Sequence, residues 1–172
     1  ARRAAFIDDL RGPLAEAHAA IADVPGELKV RYRCCITPGD RDELAARLAE
    51  IEGGEWDHRR TRFGPHREEL VLTLDGKELR TYGSQGQVRT AALALKLALL
   101  QTTSTATGDP PLFLLDDLGS ELDPGRNERL LRRLLDGGSQ VFVATTTLRH
   151  IPLSRDAFEA FTVASGAVGL DP

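Results

Sequence analysis

The sequence predicts an α/β fold with a mostly parallel sheet flanked by helices, and three stretches predict it. Leu112 to Leu115 is an unbroken apolar run ending in two carboxylates, Asp116 and Asp117, as expected of a strand buried on both faces and opening at its C-terminal end. At Asp123-Pro124 an acid at the cap and a proline in the first turn start a helix, with Leu130, Leu131, Leu134 and Leu135 as its buried face and Gly137-Gly138 as its end. Gln140 to Ala144 is a second short apolar strand. Strand, helix and strand in this order make a right-handed βαβ unit, which brings Thr145, Thr146 and Thr147 beside the two acids.

The elements before this unit follow from spacing. Phe6, Leu10, Leu14 and Ile21 predict an amphipathic helix or pair of helices over Ala1 to Ala22, broken or kinked at Gly12-Pro13. Leu28, Val30, Tyr32 and Cys34 alternate with Lys29, Arg31 and Arg33, a half-exposed strand. After the turn signal Pro38-Gly39, Asp40 and Glu43 resemble a capping box, and Leu44, Leu48 and Ile51 form a helical stripe ended by Gly53-Gly54. Composition changes near Thr61, where a domain boundary is expected between 1–60 and 61–172. Leu70, Leu72 and Leu74 then alternate into Asp75-Gly76, a two-residue hairpin signal, with Leu79 to Tyr82 as the returning strand. The very apolar run from Ala91 to Leu100 predicts a helix buried nearly all round, with Arg89 and Lys96 its few charged points. A Ser/Thr-rich loop from Thr102 to Pro111 follows it, and a last strand near Ala160 to Ala164, with Gly166, closes the chain.

Composition excludes several function classes. A net charge of -4 over 172 residues gives no global field for nucleic acid, so a DNA surface would be a local patch such as Arg59 to Arg62 or Arg129, Arg132 and Arg133. Cys34 and Cys35 are adjacent and point to opposite faces of a strand, which suits neither a structural disulfide nor zinc. His18, His58, His66 and His150 lack metal-ligand spacing. No apolar run reaches membrane-span length and no signal peptide is visible, so a cytoplasmic protein without a membrane partner is the expectation.

Two places carry chemistry. Paired acids at the mouth of a buried strand suit a hard cation such as magnesium, with one carboxylate left to orient a water; a plain strand end with Asp117 capping the next turn is the alternative. The turn Tyr82 to Thr90, YGSQGQVRT, opens the apolar helix. Backbone N–H groups, the positive end of the helix dipole and the Ser84 hydroxyl converge there, as an anion site requires, and Gly86 lets a phosphate approach closely. Ser84 serves equally as an ordinary N-cap. Arg67 in GPHREEL could meet a phosphate or stand exposed.

GPHREEL, SQGQVRTAALALKLA, LFLLDDLGSELD and VFVATTTL, in that order and at these separations, resemble the C-terminal half of the RecF family, recombinational-repair ATPases related to SMC and ABC-type heads. The resemblance implies the C-terminal lobe of such a head, with a small helical N-terminal portion. It implies that Ser84, Gln85, Gly86 and Gln87 are the signature that touches, in trans, the γ-phosphate of ATP held by an opposite protomer. Asp116 would hold Mg2+ through water, and Asp117 would polarise the attacking water from a side chain shorter than the usual glutamate, giving slow hydrolysis. Ser120 and Asp123 fall in the D-loop along the dimer interface. Thr146 takes the place of a switch histidine and can only hydrogen-bond there.

No G-x-x-x-x-G-K-[ST] occurs, Gly76-Lys77 being the nearest scrap, so this chain is expected to be a C-terminal piece, inactive alone, of a slow ATPase. The absence of methionine agrees with that. Residues 1–60 would end an inserted domain. The implied function is ATP-dependent DNA binding in recombinational repair and replication restart, with ATP and Mg2+ as cofactors, an ATP-driven homodimer, and DNA, RecR and RecO as partners. The competing expectation is a DNA- or protein-binding module of another SMC-like head with no catalytic role of its own. A head lacking its other lobe is expected to leave an apolar patch exposed.

Overall fold

A computed structural model of the chain describes residues 2–34, 40–58, 64–116 and 123–171. Helix α1 (Arg2–Ile21) buries Ile7, Leu10, Leu14, Ala17 and Ile21 along one face and packs on helix α4 (Gln85–Thr107) and strand β1 (Leu28–Arg33). The helix passes through Gly12-Pro13 unbroken, against the expectation of a break. Pro13 removes one hydrogen bond at a cost of about 3 kcal/mol. Leu10, Leu14 and Ile21, on both sides of it, are each at most 1% exposed. Burying each returns about 1.5–3 kcal/mol, so packing wins. The stripe also begins one residue later than expected, at Ile7, leaving Phe6 exposed.

β1 pairs antiparallel with β2 (Glu69–Leu74), from Leu28 opposite Leu74 to Arg33 opposite Glu69. Its alternation is as expected: Leu28 and Val30 are buried, Lys29, Arg31 and Arg33 exposed. β2 turns at Asp75-Gly76, both at positive φ (50° and 78°) as a type I′ hairpin demands, into β3 (Lys77–Glu78). The returning strand is therefore only Lys77–Glu78. Leu79–Tyr82 is a one-turn helix, α3, because Leu79 alone turns inward while the next three residues face outward, a pattern without the period of two that a strand needs.

Three further expectations change. Helix α2 (Arg41–His58), capped by Asp40 Oδ1 accepting the Glu43 N–H at 2.8 Å, continues through Gly53-Gly54, since glycine weakens a helix without forbidding it. Its Leu48 is exposed. α4 is buried on one face only, through Thr90, Ala91, Leu93, Ala94, Leu97 and Ala98, because α1 covers one side; Val88, Ala92, Lys96 and Leu99 are exposed. α4 also extends into the stretch expected as a loop. There Thr105 and Thr107 donate back to the Gln101 and Thr103 carbonyls at 2.9 Å, so their hydroxyls are satisfied inside the helix, and Gly108 at φ 79° ends it.

The second part holds β4 (Phe113–Leu115), α5 (Pro124–Asp136) and β5 (Val141–Val143), with β4 and β5 parallel, as the βαβ pattern requires. α5 buries Asn127, Leu130, Leu131 and Leu134, whereas Leu135 is exposed. The last strand, β6 (Ala160–Ala164), has an antiparallel partner not anticipated from sequence, β7 (Ala167–Asp171), joined through Ser165-Gly166 at φ 49° and 80°. Among the described residues, parallel pairing is confined to β4 and β5. The chain forms two compact units, Ala1–Pro111 and Leu112–Pro172. That division lies away from the compositional change near Thr61, because β1 pairs with β2 across it.

Candidate functional site

In the first unit the signature residues form the N-terminus of α4. Ser84 is the N-cap, and a full capping box closes over it: Ser84 Oγ accepts the Gln87 N–H at 3.3 Å and Gln87 Oε1 accepts the Ser84 N–H at 2.9 Å. The Val88 N–H goes to the Ser84 carbonyl at 3.0 Å. Of the first-turn donors, this leaves the N–H groups of Gln85 and Gly86 open. The Ser84 hydroxyl keeps its own hydrogen to donate. Two N–H groups, one O–H and the positive end of a 23-residue helix thus gather at an exposed turn, an arrangement able to take an anion. Gly83, just before it, packs so tightly that a Cβ would lie 2.6 Å from the Leu79 carbonyl oxygen.

In the second unit, β4 and β5 run in register: the Phe113 N–H bonds the Gln140 carbonyl at 2.9 Å and the Ala144 N–H bonds the Leu115 carbonyl at 2.8 Å. Asp116 and Thr145 to Thr147 therefore leave the same end of adjacent parallel strands. Asp116 is exposed, and its carboxylate makes no hydrogen bond or ion pair to another described residue. A free carboxylate at a strand mouth fits magnesium, which binds through one or two carboxylates, waters and phosphates. Thr146 is exposed beside it. Asp123 is the N-cap of α5, Oδ1 accepting the Arg126 N–H at 3.1 Å while Oδ2 pairs with the Arg126 guanidinium at 3.2 Å. Asp117, Ser120 and Arg59 to Arg62 lie outside the described residues, as do Cys35 and Pro38-Gly39.

Sequence reasoning missed two features. Thr145 Oγ1 lies 3.1 Å from His150 Nδ1, placing an imidazole in the loop that carries Thr146. A histidine three residues beyond the threonine run was the available signal. The other is Glu68 in GPHREEL, a hub: Tyr32 OH donates to it, Cys34 Sγ lies 3.0 Å from its Oε1, and Arg3 pairs with it at 3.1 Å. These partners, Tyr32 foremost and then Cys34, hold its carboxyl below the ordinary range. Part of GPHREEL thus anchors α1 to the sheet, with Arg67 exposed. On α5, Arg132 is paired with Glu128 at 2.7 Å.

The chain is 42% identical over 158 residues to the DNA replication and repair protein RecF of Lactobacillus delbrueckii subsp. bulgaricus, covering 87% of this chain and 41% of that protein. It is 35% identical over 175 residues to RecF of Geobacter sulfurreducens, covering 97% of this chain and 48% of that one. By sequence the chain belongs with the RecF proteins. The fold agrees: a solved structure of the recombination mediator RecF with ATP, in the RecFOR pathway, superposes with a TM-score of 0.77 at 30% identity, over 97% of this chain and 44% of that one. An SMC ATPase structure, at TM-score 0.52 and 14% identity over 96% of this chain and 83% of that one, shares the fold alone. The fold is thus that of RecF and SMC ATPase heads. No family model matches the chain. This RecF-like chain spans less than half the length of the relatives it matches, 41% and 48% of the two named.

Proposed function

We propose that this chain is the signature-bearing part of a RecF-like, ATP-dependent DNA-binding protein of replication and repair, working in the cytoplasm. Ser84 to Gln87 form the turn that meets, in trans, the γ-phosphate of ATP held by a second subunit, so that ATP closes a homodimer on DNA. Asp116 would hold magnesium, which when bound would neutralise charge on the phosphates. Asp117 orients and polarises the attacking water, Ser120 and Asp123 lie along the subunit boundary, and Thr146 donates a hydrogen bond toward the γ-phosphate. Positioning and charge stabilisation suffice for phosphoryl transfer to water, so few residues are needed. RecR, with RecO, is the partner recruited to the closed dimer. The observation that carries this reading is the open donor set at the N-terminus of α4, in a chain whose solved relatives hold ATP and ATPrS.

The test uses the full-length protein that carries this chain together with a glycine-lysine phosphate loop. Ser84→Arg is expected to abolish ATP-dependent dimerisation, measured by sedimentation, while nucleotide binding to each subunit stays at wild-type strength. Unchanged dimerisation would overturn the reading, as would measurable ATP turnover by the 172 residues alone.

A further inference from the structure

Resting on the role proposed for Thr146, we propose that His150 is a positioning residue for that threonine. By holding Thr145 it fixes the loop after β5 in the form that leaves the Thr146 hydroxyl free at the strand mouth beside Asp116.

The three threonines of this loop differ in what they bond. Thr145 Oγ1 lies 3.1 Å from the Thr147 carbonyl oxygen, accepts the Thr147 N–H at 3.4 Å and lies 3.1 Å from His150 Nδ1. Thr147 Oγ1 accepts the Arg149 N–H at 3.4 Å, and the Thr147 carbonyl accepts the His150 N–H at 3.3 Å. Thr145, Thr147 and His150 thus close into one ring, and the first and third threonines are occupied inside it. Thr146, exposed between them, has a hydroxyl with no hydrogen bond to another described residue. In an open α/β sheet this end of parallel strands is where ligands sit, and a group that serves one must be held to within about 0.5 Å.

The imidazole is the long link of the ring. Its other bonds join residues two or three apart, whereas Thr145 and His150 are five apart, so the ring side chain ties the end of β5 to the end of the turn Leu148–His150. Either tautomer closes the contact: Nδ1–H donates to Oγ1, or the hydroxyl donates to a bare Nδ1. Nε2 has no partner among the described residues, so it is the atom through which His150 would itself touch a ligand.

Amide side chains separate these two roles, because asparagine places its amide where Nδ1 stands and glutamine where Nε2 stands. ATP turnover by the full-length protein is the readout. His150→Ala is expected to lower kcat about tenfold, the scale of one lost hydrogen bond, with KM for ATP unchanged. His150→Asn restores most of the loss and His150→Gln restores none. Thr145→Val, which removes the same bond and keeps the imidazole, lowers kcat equally, and combining it with His150→Ala lowers kcat no further. Rescue by glutamine and not asparagine would make His150 a ligand through Nε2 and overturn the proposal. Additive losses would overturn it too, as would a raised KM at unchanged kcat. If His150→Ala fails to fold, Thr145→Val and His150→Asn decide alone: a slow first and an active second support the link, and any other pairing breaks it. Thr146→Ala tells apart the two levels of failure. If that variant turns over normally, the reading of Thr146 itself falls; if it is slow while His150→Ala is silent, only the role of His150 falls.

Discussion

The two units bury their apolar residues very differently. In Ala1–Pro111, α1 and α4 lie against each other and α1 against β1, and Leu10, Leu14, Ile21, Leu28, Val30 and Ala94 are all almost wholly out of solvent. In Leu112–Pro172 the core is thin: among the described residues, Phe113, Leu130, Leu131, Leu134 and Ala160 are its buried apolar residues. Other apolar side chains of this unit are exposed. Leu114 and Phe142 are cross-strand partners on the exposed face of β4 and β5, and Phe161 with Leu170, and Val163 with Val168, pair along one exposed face of the β6–β7 hairpin. A sheet becomes stable when both faces have a layer or one face meets water through polar side chains, and these strands have neither. The first unit closes its own core; the second carries strands whose composition suits a deeper environment than the described residues supply.

The largest effect that sharpens this contrast is a pair of truncations. Leu14→Ala, at a side chain 0% exposed between α1 and α4, is expected to cost about 2–5 kcal/mol by denaturant unfolding. Leu114→Ala, at 70% exposure, should stay within about 0.5 kcal/mol. Equal losses would show that the second unit buries this face after all. A middling effect is expected at the start of α5, where Asp123→Ala removes the cap and should lower stability by about 1 kcal/mol, with Asp123→Asn recovering most of it; thermal melting measures both.

The smallest effect is the acid dependence of the first unit. Burial pushes the His18 imidazole below its ordinary 6.5, partly opposed by a hydrogen bond to the Gly26 backbone, and Glu68 is held below the ordinary 4.5 by Tyr32, Cys34 and Arg3. In both cases the unfolded chain takes up the proton more readily. Stability is therefore full above about pH 6.5, begins to fall below it through His18, and falls again below the ordinary carboxylate range through Glu68. Urea midpoints against pH should lose the upper decline in His18→Gln and the lower one in Glu68→Gln.

Local chemistry was the most legible part of this sequence. The caps at Asp40 and Asp123, the Asp75-Gly76 turn and the alternation of β1 each depend on neighbours within a few residues, and the parallel pair β4 and β5 followed from the order strand, helix, strand. The N-cap at Ser84 is local in the same sense, and its closing bond from Gln87 came only with the structure. At Pro13 tertiary packing had overridden a local rule, whereas beyond Leu100 one local preference had beaten another. Pro13 sits in a helix because the residues around it share one buried face, and α4 runs past Leu100 because threonine hydroxyls found carbonyls inside it. The amount of cover over α4 and over β4–β5 was illegible, since composition records how apolar a segment is and not which neighbours reach it.

The carboxylate of Asp75 reaches beyond its own turn. Its Oδ1 accepts the Glu27 N–H at 2.8 Å while its N–H donates to the Glu27 carbonyl at 3.1 Å, so the tip of the β2–β3 hairpin clasps the residue just before β1. A hairpin forms locally and early, whereas joining Glu27 to Asp75 must close a long loop. The clasp settles the ladder at one end. With Leu28 locked opposite Leu74, every later rung is dictated, and a slip of a single residue would break both bonds at the tip before it misaligned any side chain.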